Sequence, residues 1–402
     1  MRGRLAEYCS FKDWSITAWM TGFLAVLISY AGPLVIFIQA AQVWEMSPET
    51  LSSWIWGISI GAGISGIVLS IMLKAPIITA WSAPGTALLL NLYPHISYPE
   101  VIGSYLVAAI LTTIIAVSGY FERIVQFIPR SIAAAMLAGI LFQFGAQAFN
   151  VGTQLPPILF VMLTVFILSR RFLPKFTVVL VTLSGFTLAF FLGHTDFSVL
   201  KLSLASPEFT LPSFSFQAFF SFTIPLLIVS LSGQYLPGII VMRLDGYNQP
   251  TRPILTGTAL ISIVTAFFGG ISIVLAAITA AICTGKDSHP DHDKRYVAGI
   301  ANGVFYLIGG TFAGTIVLLF SAVPPALVAA LAGLALIGAI MSNIKLLAES
   351  PKHLEPAVIT FLATASGMSL AGMGSAFWGI VFGLITNWVL GYGKKPEPSK
   401  TA

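Results

Sequence analysis

Trp81-Ser82-Ala83-Pro84-Gly85-Thr86 lies inside an apolar segment that runs from Pro76 to Leu92. Ahead of it, Ile77-Ile78-Thr79-Ala80 is short and β-prone. Behind it, Ala87-Leu88-Leu89-Leu90-Asn91-Leu92 favours helix. Ser82 is a capping residue, because its hydroxyl accepts from the free N–H groups of a first turn. Pro84 fits that turn, where its missing N–H is not needed. The stretch therefore predicts a broken span: extended chain, then a helix starting near its middle. Such a start leaves about four unpaired N–H groups and a partial positive charge. Lipid does not tolerate them, so the start must face protein, water or a ligand.

Composition places the whole chain in lipid. Hydrophobic residues make up 56% of it and charged residues 9%, against about 25% charged in a soluble domain. Mean hydropathy is +0.91. The 402 residues hold many spans at about 20 residues each. Met1 to Trp14 is polar and mixed in charge, and the first apolar run is too long for a signal peptide core. Cys9 and Cys283 have no metal-ligand spacing and read as packed or inert thiols. No metal or cofactor is expected. The net charge of +5 does not point to nucleic acid, because topology accounts for its placement.

Fourteen apolar segments are expected, at 16–40, 51–73, 76–92, 100–120, 131–149, 156–170, 176–193, 216–242, 253–268, 270–284, 296–320, 325–346, 356–373 and 375–392. With the N-terminus cytoplasmic, these crossings put nearly every cation inside, from Lys74, Arg123 and Arg130 to Arg243, Arg252, Lys286, Lys345 and Lys394, and leave Lys201 outside. Both termini are then cytoplasmic. Ala83-Pro84-Gly85-Thr86-Ala87-Leu88 matches Ala277-Ile278-Thr279-Ala280-Ala281-Ile282 at an offset of 194, and Leu137-Ala138-Gly139 matches Leu331-Ala332-Gly333 at the same offset. Two repeats follow, 14–200 and 213–393. Seven spans per repeat is odd, so the second inserts upside down, as in many secondary transporters.

Inversion pairs the opening stretch with the tenth span, which starts at Gly269-Gly270 and turns to alanine-rich helix. Two helix starts then converge from opposite sides and suit an anion. The candidate binding residues are Ser82, Ala83, Pro84, Gly85 and Thr86 on one side and Leu275, Ala276, Ala277 and Ile278 on the other. Tyr30 and Gln39 of span 1 and Gln234 and Tyr235 of span 8 join them, because buried amides and phenols need partners. The plainer reading of all these positions is kinked packing helices and interhelical hydrogen bonds. Every Asp, Glu and His sits in a loop or at a span end, so no buried carboxylate relay is visible and an intramembrane enzyme is not expected. His289-Pro290-Asp291-His292-Asp293-Lys294-Arg295 fits no metal template and reads as a loop or gate contact.

The chain resembles the benzoate:proton symporter (BenE-type) family over nearly its whole length. The likeness rests on Thr79-Ala80-Trp81-Ser82-Ala83-Pro84-Gly85, on Ala138-Gly139-Ile140-Leu141, on Ala276-Ala277-Ile278-Thr279-Ala280-Ala281-Ile282-Cys283, on His289-Pro290-Asp291, and on Gly374-Ser375-Ala376-Phe377-Trp378-Gly379. The resemblance implies proton-coupled import of benzoate or a similar aromatic carboxylate across a bacterial inner membrane. It implies the fold of nucleobase and sulfate transporters, with a core domain (14–120 and 213–320) moving against a gate domain (121–200 and 321–393). Nucleobase-transporting relatives carry glutamates in spans 8 and 10; here Gln234 and alanines stand there, which argues for a carboxylate substrate. The coupled proton then travels on an acidic substrate or through a loop-end carboxylate. The alternative is an exchanger or symporter of another small organic or inorganic anion. Related folds are often homodimers through the gate; no residue of this sequence decides that.

Overall fold

The computed structural model describes residues 13–90, 92, 93, 95–150, 154–277 and 279–391. The molecule is a bundle of apolar helices with a single two-stranded ribbon among the described residues. Ser15 starts α1 (Ile16–Ala31), its hydroxyl accepting from the N–H of Ala18 at 3.1 Å. Gly32-Pro33 breaks the span before α2 (Pro33–Val43), because proline has no N–H for the helical ladder. The carbonyl of Ala31 at this break accepts instead from the Thr182 hydroxyl at 3.1 Å. A freed carbonyl in a membrane needs such a partner.

Helix α3 (Pro48–Leu73) is capped by Ser47 and ends at Lys74, which is left-handed at φ 49°. The chain then runs extended into β1 (Thr79–Trp81), and α4 (Ala83–Leu89) follows at once. The expected break is present at the expected residues. Helices α5 (Tyr98–Ser118), α6 (Phe121–Phe127), α7 (Arg130–Asn150), α8 (Pro156–Phe172) and α9 (Thr177–Phe191) complete the first half.

The second half opens with α10 (Phe216–Leu244), which contains π turns at Phe219–Thr223 and Leu231–Tyr235. Each π turn lies just before a proline, Pro225 or Pro237, whose missing N–H disrupts the α ladder. Then come α11 (Thr251–Ala266), β2 (Ile273–Leu275), α12 (Ala280–Thr284) and a bent pair, α13 (Tyr296–Thr311) with α14 (Ala313–Ser321), broken by 66°. Helices α15 (Pro325–Ala348), α16 (Leu354–Ala365) and α17 (Ser375–Gly391) close the chain. Seven helices among the described residues are long and apolar enough to cross a membrane, or eight with the bent pair. The other expected spans are shorter, or are built of strand plus helix.

Strands β1 and β2 pair antiparallel, Thr79 opposite Leu275, Ala80 opposite Val274 and Trp81 opposite Ile273. The central pair, Ala80 and Val274, stands 194 positions apart, the offset of the sequence repeat. Neighbouring helices complete the ribbon's hydrogen bonds. The Thr79 hydroxyl donates to the Ala62 carbonyl of α3 at 2.7 Å, and Ser262 of α11 accepts from the N–H of Ile273 at 2.8 Å. Close packing surrounds it. A Cβ on Gly63 of α3 would lie 2.8 Å from the Gly303 carbonyl of α13, so only small residues allow these helices to meet.

Candidate functional site

The ribbon brings the two chain breaks together and binds them reciprocally. The N–H of Ser82 donates to the Ser272 carbonyl at 2.9 Å, and the N–H of Ala276 donates to the Ile78 carbonyl at 2.8 Å. Within α4 the Ser82 hydroxyl accepts from the N–H of Gly85 at 3.2 Å, and the Thr86 hydroxyl donates to the Ser82 carbonyl at 3.0 Å. Pro84 has no N–H. The helix start therefore offers fewer donors than an uncapped turn, and among its first residues the N–H of Ala83 is the one left over. Ala83 is partly exposed, as is Ala277, its counterpart in the repeat, while Ser82, Thr86, Leu275 and Ala276 are buried. Ile278 lies outside the described residues.

Each short helix has a donor at its far end. The Trp44 indole donates to the Leu89 carbonyl at 2.8 Å. The Arg295 guanidinium donates to the carbonyls of Thr284 and His289, each at 2.8 Å. A cation at a helix C-terminus favours the dipole. Arg295 is the one buried charged side chain among the described residues. The expected loop 289–295 is thus folded onto the end of α12. At the same face Lys175 pairs with Asp287. The hydrogen bond and charge of Lys175 hold the Asp287 carboxyl below the usual carboxylate range. Burial pushes Tyr247, stacked on His292 at 4.1 Å, up to about 12.

Glycines set α10 against both breaks. A Cβ on Gly85 would lie 2.4 Å from Leu226 Cδ1, and one on Gly238 would lie 2.8 Å from Leu275 Cγ. Gln234 is partly exposed on the second π turn. Next to it Tyr235 is buried, its hydroxyl shared between Thr258 Oγ1 at 2.6 Å and the Ile273 carbonyl at 3.0 Å. Tyr235 thus holds β2 in place. Tyr30 shares a hydrogen bond with Ser59 at 2.7 Å, and its ring meets Trp81 and Tyr306 at 6.2 and 5.8 Å. Gln39 is on α2, and its Oε1 is buried without a hydrogen-bond partner among the described residues. Four further residues stand at the site, Trp81, Trp44, Arg295 and Tyr306. Trp81 opens the 81–86 stretch and shares the Thr79 face by strand alternation. Arg295 stands in the 289–295 loop motif, but its role at the end of α12, like the roles of Trp44 and Tyr306, carries no local signal, because only tertiary packing brings them here.

The fold is shared with transmembrane domains of known transporters. The transmembrane domain of a cyanobacterium bicarbonate transporter, BicA, superposes with a TM-score of 0.54 at 13% identity, covering 94% of this chain and 97% of that one. The structure of SLC26A9 gives 0.62 at 14% identity, covering 95% of this chain and 66% of that one. These likenesses show the fold, that of a multi-pass bundle of apolar helices. The chain belongs to the benzoate membrane transport protein family, BenE, whose model matches residues 12–389. The benzoate membrane transport protein of Acinetobacter baylyi is 52% identical over 388 residues, covering 96% of this chain and 98% of that one. The inner membrane protein YdcO of Escherichia coli is 36% identical over 371 residues, 92% and 95% of the two chains.

Proposed function

We propose that this protein imports benzoate or a similar aromatic carboxylate with protons across a bacterial inner membrane. The carboxylate sits between the start of α4 at Ala83 and the turn at Ala277, since α12 begins at Ala280 and not near Ala276 as expected. Antiparallel pairing of β1 with β2 about Ala80 and Val274 carries this reading. A two-fold axis in the membrane plane produces such a register, which supports the inverted repeat of 14–200 and 213–393. The placement of the cations supports fourteen crossings, with both termini cytoplasmic. The N–H groups of Ala83 and Ala277 and the two helix dipoles attract the anion. Gln234, Gln39 and the rings beside Trp81 accommodate the rest of the acid. Tyr235 acts by positioning β2.

The core, 14–120 and 213–320, moves against the gate, 121–200 and 321–393. Packing supports that division: α3 lies along α13 and α5 along α11, while α7 lies along α15 and α16. No carboxylate lies at either helix start, so the proton enters on the acid or through a loop-end carboxylate.

The test is uptake of labelled benzoate into proteoliposomes, with and without an inward proton gradient, against a panel of competing anions. Gradient-driven uptake competed by aromatic carboxylates is expected. Uptake indifferent to the gradient removes the proton, and competition by small inorganic anions alone moves the substrate to the other class. Ser82→Asp keeps a capping oxygen but places a charge at the anion site. It is expected to leave the protein folded and to reduce uptake at least tenfold; uptake unchanged would move the carboxylate elsewhere.

A further inference from the structure

Residues 200–215, which join the two halves, run extended across one end of the bundle. Their inward side is bonded to five helices, α3, α5, α13, α14 and the end of α11. Ser203 donates its N–H to Thr315 Oγ1 at 2.8 Å, and its carbonyl accepts from the N–H of Thr315 at 3.1 Å. The N–H of Ala205 donates to the Thr311 carbonyl at 2.8 Å. The N–H of Glu208 donates to Ser53 Oγ at 2.8 Å, and the Glu208 carboxylate accepts from the Thr50 hydroxyl at 2.8 Å. Thr210 and Ser213 donate to the carbonyls of Phe267 and Pro99 at 2.8 and 2.9 Å. A Cβ on Gly103 would lie 2.0 Å from the Ser213 carbonyl oxygen, so the strap sits directly on α5.

The other side of the strap is apolar and uncovered. Leu202 and Leu204, Phe209 and Leu211, and Phe214 and Phe216 are all exposed, in pairs two residues apart, the period at which an extended chain repeats a face. Leu202 is 80% exposed and Leu211 73%. A row of this kind on a soluble surface would be an adhesion site.

We infer that the strap is an interfacial anchor whose apolar row lies in the lipid leaflet at that end of the bundle. Three observations select lipid as the occupant. The row continues a hydrocarbon-facing surface, since Val264 of α11 and Ile308 of α13, on helices to which the strap is bonded, are also exposed. The N–H groups of Ser203, Ala205, Glu208, Thr210 and Ser213 are bonded inward, so fewer unpaired backbone groups are left toward lipid. Its charges also fit. Glu208 is tied to Thr50, while Lys201 stands beside the row on a stem long enough for its ammonium to reach lipid phosphates. The anchor is joined to α3, α5, α11, α13 and α14 and moves with them.

The test uses the full chain in lipid nanodiscs, with Cys9→Ser and Cys283→Ser and one added cysteine at a time, Leu202→Cys, Leu204→Cys or Leu211→Cys, carrying a nitroxide. A label at Lys175 serves as the reference in water. Power saturation compares collisions with oxygen, which partitions into lipid, and with a water-soluble nickel chelate. The oxygen-to-nickel ratio at Leu204 and Leu211 is expected to exceed that at Lys175 several-fold. A ratio equal to that of Lys175 would put the row in water. Low collision with both reagents would mean that protein covers it. Either result overturns the anchor, and neither depends on the transported substrate.

Discussion

At the residue scale, small side chains decide where helices meet. Gly63 of α3 and Gly303 of α13 face each other closely: a Cβ on Gly303 would lie 2.6 Å from the Gly63 carbonyl oxygen. Backbone cannot yield as a flexible side chain does. Gly63→Val should therefore destabilise the protein by about 1–3 kcal/mol through overpacking. A lower melting temperature in detergent, with Gly63→Ala intermediate, is the expected result; unchanged melting would show that α3 and α13 separate freely. Gly57, Gly61, Gly63 and Gly66 of this helix form a small-residue run in the sequence. Which helix they face is not legible there, because Gly63 and Gly303 are 240 positions apart.

At the scale of elements, the ribbon is held from outside as much as by its own pairing. Ser262 and Tyr235 bind Ile273, and Thr79 binds Ala62. Tyr235→Phe removes the hydroxyl that joins α10 to β2 and to Thr258. A hydrogen bond between membrane helices contributes about 0.6 kcal/mol on average and reaches about 1.7. Two such bonds are lost, so the melting temperature should fall by a few degrees. The pattern of competing carboxylates should not change, because the hydroxyl faces the strand. A changed pattern would place Tyr235 against the substrate. The sequence marked Tyr235 as polar and buried but did not reveal its partner. The π turn that presents it follows from Gly233 and Pro237, a signal that was present locally. The broken helix at Ser82 was fully legible, since cap, proline and β-branched run lie within ten residues.

At the scale of the whole molecule, the few charges join parts that are distant in the chain. Lys175 precedes α9 and Asp287 follows α12, and their ion pair crosses from one half to the other. The folded Asp287 carboxyl binds its proton more weakly than a free one. Its contribution is therefore complete above the ordinary aspartate pKa of about 3.9, and it fades as pH falls through the lower folded value. Both side chains are well exposed, so the effect is small and screened by salt. Melting temperature should fall more steeply below about pH 4 in the parent than in Asp287→Asn. Parallel curves would show that the pair contributes nothing.

Sequence alone determined what is local or summed over the chain. Hydropathy placed it in the membrane, proline and serine set the break at Ser82, and the recurring offset named the tenth span as its counterpart. These features need only neighbours in sequence or a count along it. Tertiary structure decided the ribbon register, the spending of Ser82 and Gly85 on each other, and the donors Trp44 and Arg295 at the far ends of the short helices. It also decided that the segment joining the halves is bonded to the bundle. Each depends on which groups meet across long separations, and in an apolar chain many helix faces are alike. The few buried hydrogen bonds and the glycine contacts choose among them.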